Sequence, residues 1–171
     1  SDGSLGERND LRAVGVEHKL GIHCSPTCTM AYGDTGGAVG YLVGPLNQGL
    51  MCMFSMMNNA RLSVGHQGVS IGERAYQQAV GYAADRVQGK VHGINGRAPI
   101  IHHADVKRML LHMRALTEAG RALSFYTIAA EDRSTHPTEN DAKAIDARLV
   151  EILTPLVKGW CTEVSMEITS I

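Results

Sequence analysis

"MMNNARLSVGHQGVSIGERAYQQAVGYAADRVQGK", residues 56–90, spaces its apolar and small side chains three or four positions apart. Extended towards the N-terminus, the series runs Leu50, Met53, Met57, Arg61, Val64, Gly68, Ile71, Ala75, Ala79 and Tyr82, which is the period of an α-helix. It predicts one long helix over residues 48–86, with Gly65 or Gly68 as the place for a kink. Glycine inside a helix costs up to about 1 kcal/mol relative to alanine. Gly65, Gly68, Gly72, Ala75 and Ala79 therefore point to a packing partner whose backbone comes close to this helix.

Outward from this stretch the texture changes on both sides. Residues 1–47 are punctuated by glycine, and the short runs "LRAVGVEH", "TCTMAYG" and "AVGYLVG" between turn residues predict a few β-strands. On the other side, "QGKVHGINGRAP" is expected to be a loop. A second helical run follows, with Val106, Met109, Leu110, Met113, Leu116, Gly120 and Leu123 on one face. Beyond the polar "EDRSTHPTEN", a third run carries Ile145, Leu149, Ile152, Leu153, Leu156, Trp160, Val164 and Ile168, and Pro155 is expected to bend it. The fold class is thus mostly α: an antiparallel helical bundle over 48–171, preceded by a short β remnant over 1–47. Three amphipathic faces call for a fourth partner, either downstream or on another chain, and a homodimer or homotetramer is expected.

Charge and composition narrow the function. Sixteen Lys and Arg against 17 Asp and Glu give a net charge of -1, so no global field draws nucleic acid or an anionic membrane. Any bound anion must be held locally. No apolar run approaches the ~20 residues of a membrane span. Four scattered cysteines read as reduced thiols in a cytoplasmic setting, and the eight histidines show no metal-ligand spacing, so no metal site is expected. His102 and His103 lack the partners of a catalytic triad, and Met51, Met53, Met56 and Met57 read as core filler.

Several stretches resemble the flavin-dependent acyl-CoA dehydrogenases: "EHKLGIHCSPT" with "GYLVGPLNQGL", the long helix of residues 56–90, and "IIHHADVKRMLLHM". "NNARL" and "ERAYQQA…DRVQG" are most similar to the bacterial branch that includes methylthiopropanoyl-CoA dehydrogenases. The resemblance implies that 1–47 ends a middle β-domain and that 48–171 opens a C-terminal helical domain. It implies oxidation of the Cα–Cβ bond of an acyl-CoA to the trans-2-enoyl product, with FAD as cofactor and an electron-transfer flavoprotein or similar acceptor.

It also assigns residues. Arg86 matches an arginine that reaches the FAD pyrophosphate of a neighbouring subunit, and Gln88 a residue that adds a hydrogen bond. A guanidinium suits the task, because its planar fork pairs with phosphate oxygens and stays charged. The other reading of Arg86 is a cation at the carbonyl end of its own helix. Arg61 matches a position near the CoA moiety, against the reading of an ordinary helix-face ion pair. Many relatives carry a longer "RKTFGK"-like turn where this chain has "RVQGK". The family's catalytic Glu sits in a "YEGT"-like motif that does not occur here, so no catalytic residue is assigned, and the segment alone is expected neither to oxidise acyl-CoA nor to retain FAD. The rival reading is a helical interaction module without a cofactor.

Overall fold

The computed structural model describes residues 3–138 and 142–171, arranged in two compact units, Ser1–Gly49 and Leu50–Ile171. In the first, β1 (Leu11–Val16) pairs antiparallel with β2 (Cys28–Tyr32), from Leu11 opposite Tyr32 to Val16 opposite Cys28. The Asp10 carboxylate accepts from the Thr35 amide at 2.7 Å and the Gly37 amide at 3.2 Å, which closes the turn after β2. Those contacts, the Thr35 amide first, hold the carboxyl below the usual range.

The third expected strand, "AVGYLVG", does not form. Val39 instead satisfies its backbone on one side chain: Asn9 Nδ2 donates to the Val39 carbonyl at 2.7 Å, and the Val39 amide donates to Asn9 Oδ1 at 2.9 Å. A backbone served in this way needs no ladder partner.

The second unit holds α1 (Gly49–Asp85), α2 (Ala104–Thr135) and α3 (Lys143–Ser170). Between α1 and α2 lies a correction to the expected loop. β3 (Val87–Lys90) and β4 (Arg97–Pro99) form an antiparallel hairpin, followed by a 3₁₀ turn over Ile100–His102. Gly89, Gly93 and Gly96 stand at φ 76°, 82° and 87°, a region that L side chains resist. Strand therefore occurs beyond residue 47.

Cross-helix contacts fix the directions. His66 and Glu73 of α1 meet Ser124 and Arg121 of α2, and Val69 meets Gly120. The residue numbers run in opposite senses, so the pair is antiparallel. α2 and α3 are antiparallel too, with His112 on Glu167 at one end and Arg133 on Asp146 at the other. α1 and α3 consequently run parallel, Gly65 against Val157, Gly68 against Cys161 and Gly72 against Ile168.

That last pairing explains the glycines. A Cβ on Gly65 would lie 2.8 Å from the Val157 carbonyl oxygen, and one on Gly68 would lie 2.6 Å from that of Cys161. No side chain fits at either position. The helical hydrogen-bond pattern of α1 continues through both glycines, and that of α3 through Pro155. The small-residue stripe is used within the chain.

Close approach of backbones leaves little room inside. The buried positions of α2 are Met113, Thr117, Gly120, Ser124, Thr127 and Ala130, and those of α3 include Thr154, Val157, Cys161, Val164 and Ser165. The threonine hydroxyls are satisfied on their own helices, Thr117 donating to the Met113 carbonyl, Thr127 to Leu123 and Thr154 to Val150, while Ser124 pairs with His66 of α1. The expected apolar faces are corrected accordingly. Ile145, Ile152, Leu156 and Trp160 are exposed. So are Leu50, Met51, Met53 and Met56, because burial on α1 begins only at Leu62. Met51, Met53 and Met56 thus fill no core, and Met57 is half-buried.

Across the α2–α3 connection, Arg133 grips Asp146 with both forks, at 3.1 Å and 2.8 Å. Each charge also sits at the helix end that favours it, the cation in the last turn of α2 and the carboxylate in the first turn of α3.

Two glycines of α1 should respond to alanine with opposite signs. Gly68→Ala places a methyl against backbone, and overpacking of this kind costs ~1–3 kcal/mol. Gly81 is exposed with nothing within 4 Å of a Cβ, so Gly81→Ala should gain roughly 0.5–1 kcal/mol from helix propensity. Denaturant titration of both variants checks this; equal shifts would refute the close contact.

Candidate functional site

The chain leaves α1 through a turn that is tied at every step. The Arg86 amide closes the last turn on the Tyr82 carbonyl at 2.9 Å, and the Arg86 carbonyl accepts from the Ile100 amide at 2.8 Å. The Arg86 side chain is exposed and its Nη2 donates to Gln88 Oε1 at 3.2 Å. An arginine donor requires the oxygen of the glutamine amide, which keeps the Nε2 hydrogens as the donors Gln88 can offer elsewhere. Two of the three residues singled out from sequence are thus brought together.

The third is not. Arg61 lies 25 residues earlier on the same helix, about 37 Å along its axis, and its guanidinium stands over the Phe54 ring at 5.8 Å. This is a cation–π contact rather than the ion pair considered for a helix face.

Charge around Arg86 favours an anion. Residues 85–108 hold Arg86, Lys90, Arg97, Lys107 and Arg108, with three histidines, against Asp85 and Asp105, the latter paired with Arg108 at 2.9 Å. The carbonyl end of α1 opposes a bound anion, whereas the amide end of α2 lies beside the hairpin and favours one. Beneath the turn, Ala79, Tyr82, Ala83, Ile100 and Met109 line an apolar cavity of about 240 Å³. No group of three or more His, Cys, Asp or Glu side chains is gathered for a metal among the described residues.

Sequence reasoning missed one participant. His103 Nε2 lies 2.9 Å from the Gln88 carbonyl oxygen, and since a carbonyl only accepts, that nitrogen carries the proton. A histidine at a helix N-cap, where Ser, Thr, Asp or Asn is the usual choice, was the available signal.

Comparison with known proteins now bears on this geometry. Residues 47–171 match the family "Acyl-CoA dehydrogenase, C-terminal domain". The chain is 50% identical, over 99% of its length, to a 3-methylmercaptopropionyl-CoA dehydrogenase of Ruegeria pomeroyi. It is 35% identical, over 96% of its length, to a butyryl-CoA dehydrogenase of Syntrophomonas wolfei. In both cases it spans 28% of the relative. The butyryl-CoA dehydrogenase structure from Megasphaera elsdenii shares the fold with a TM-score of 0.62 at 23% identity, over 98% of this chain and 39% of that one. The chain belongs to the acyl-CoA dehydrogenase family.

Glu73, Glu118 and Glu167 are engaged by partners. Glu118 accepts from Arg114 at 2.7 Å and Glu167 from His112 at 2.7 Å, both on the surface. Glu73 accepts from Gln77 at 2.8 Å and Arg121 at 2.6 Å, and these bonds, Gln77 first, hold its carboxyl below the usual range. A general base at neutral pH is tuned the other way.

A depressed carboxyl contributes stability above its unfolded value of about 4.3 and loses that contribution as pH falls through the folded value. Glu73→Gln should therefore be less stable than the parent at pH 7, with the gap narrowing below about pH 4. Thermal melts across pH check this, and a gap independent of pH would contradict it.

Proposed function

We propose that the protein containing this chain oxidises the Cα–Cβ bond of an acyl-CoA thioester to the trans-2-enoyl-CoA. FAD, when bound, takes the hydride from the β-carbon. Residues 1–47 are assigned to the end of the middle β-domain and 48–171 to the first three helices of the C-terminal domain. The 50% identity to the Ruegeria protein supports a thioether acyl-CoA such as the methylthiopropanoyl ester as the substrate class. Free thiols, with Cys24 and Cys28 exposed, support a reducing, cytoplasmic setting, and reoxidation by an electron-transfer flavoprotein or similar acceptor completes the cycle.

The observation that carries the reading is the Arg86–Gln88 pair, held at an exposed turn in a basic segment. The pair fits an FAD pyrophosphate: Arg86 offers a permanently charged fork and Gln88 neutral amide donors. Arg86 acts in trans, towards cofactor held mainly by another subunit. The outward Ile145, Ile152, Leu156 and Trp160, with the methionines of α1, support association into a homodimer or homotetramer. Arg61 is proposed to reach CoA polar groups by leaving Phe54. The segment by itself turns over no acyl-CoA and does not retain FAD.

Flavin titration of the intact protein and its Arg86→Ala variant is the test. Loss of a charge-assisted hydrogen bond, about 1.5–3 kcal/mol, should weaken FAD binding by roughly ten- to a hundredfold, with the loss growing on dilution of the oligomer. Unchanged affinity would return Arg86 to a helix-end charge. A colourless intact protein would favour a helical interaction module instead.

A further inference from the structure

We propose that His103 is a positioning residue that latches the β3 strand so that the Arg86–Gln88 pair is presented to a phosphate group. This rests on the pyrophosphate reading of Arg86 above.

The first observation is a local rule broken. His103 is the N-cap of α2, yet its side chain makes no cap hydrogen bond, and a side chain in that position ordinarily serves the free amides of the first turn. The imidazole reaches instead across 15 residues to the Gln88 carbonyl at 2.9 Å. Features that break a local preference gather where function compensates for them.

The acceptor is equally specific. β3 pairs with β4 at Val87–Pro99 and Lys90–Arg97, with the register interrupted between them. Gln88 and Gly89 fall in that interruption, and His103 supplies the donor to Gln88. Gly89 sits at φ 76°, and a Cβ there would lie 3.2 Å from His103 Cε1. Position 89 thus admits both the backbone turn and the imidazole only as glycine. Around this contact the Ile100 amide binds the Arg86 carbonyl, and the His103 amide binds the Ile100 carbonyl at 3.0 Å. The end of α1 and the start of α2 are joined in one hydrogen-bonded loop, to which the His103 ring adds a side-chain bond to the β3 backbone.

The test compares His103→Leu, His103→Gln, Gly89→Ala and Arg86→Ala in the intact protein. Two quantities are read: hydrogen exchange of the 87–103 segment without FAD, and FAD affinity. His103→Leu should speed exchange by about tenfold or more, since local opening no longer breaks the latch. It should also weaken FAD binding, by no more than Arg86→Ala does, and add little in the double variant. His103→Gln keeps an N–H donor and should recover both; Gly89→Ala, which strains the same contact from the strand side, should also speed exchange and stands in for His103→Leu should the leucine variant not fold. Parent-like exchange in His103→Leu and Gly89→Ala overturns the proposal, as does faster exchange with unaltered FAD affinity when Arg86→Ala weakens it. Faster exchange with Arg86→Ala itself silent would leave the latch standing and remove the phosphate role of Arg86.

Discussion

Backbone contact between α1 and α3 at Gly65 and Gly68 is the constraint from which the helical unit follows. With carbonyl oxygens of α3 within 3 Å of where a Cβ would stand, the two helices approach as closely as their main chains allow. α2 must then fill a narrow groove beside them, and it does so with Gly120, Ser124, Thr127 and Ala130. Few large side chains fit inside, Leu62, Met113 and Ile168 among them, and Ile145, Ile152, Leu156 and Trp160 are turned out. The interior gains dispersion contact from proximity, and its hydroxyls cost little because Thr117, Thr127 and Thr154 are bonded within their own helices and Ser124 to His66 of α1.

The functional consequence lies at the far end of α1. A helix clamped along Gly65, Gly68 and Gly72 is a stiff lever, and it delivers Arg86 at a fixed place just past its last turn. The hairpin then folds back, with Ile100 on the Arg86 carbonyl and His103 on the Gln88 carbonyl. Placement of a cation on a braced turn lowers the entropy lost when it meets a phosphate. In the proposed reading, where Arg86 acts in trans, the outward apolar residues supply the surface on which subunits meet.

The long helix and the order of the three helices were legible in sequence, because a 3.6-residue period is a strong signal; Arg86 and Gln88 were singled out by resemblance, and their bond to each other was not read. The buried face was read less well. Periodicity marked Leu156 and Trp160 as core, whereas Val157 and Cys161 face α1; two adjacent stripes on α3 satisfy the same period, and only the glycine partner on α1 selects between them. Hydroxyl residues such as Thr117 and Thr127 escape an apolar search altogether. The β3–β4 hairpin was hidden in a glycine-rich loop, although Gly89, Gly93 and Gly96 mark its turns. Arg61 was assigned by resemblance, and its contact with Phe54 depends on a neighbour seven residues away, two helical turns along one face.

The central claim is that Arg86 serves a cofactor phosphate. The most direct measurement is an experimental structure of the intact, FAD-loaded oligomer. The account predicts an Arg86 guanidinium nitrogen about 2.7–3.0 Å from a pyrophosphate oxygen of FAD held chiefly by another subunit, with Gln88 still backed by His103. A pyrophosphate bound wholly by its own subunit, with Arg86 in solvent or folded onto the end of α1, would contradict it.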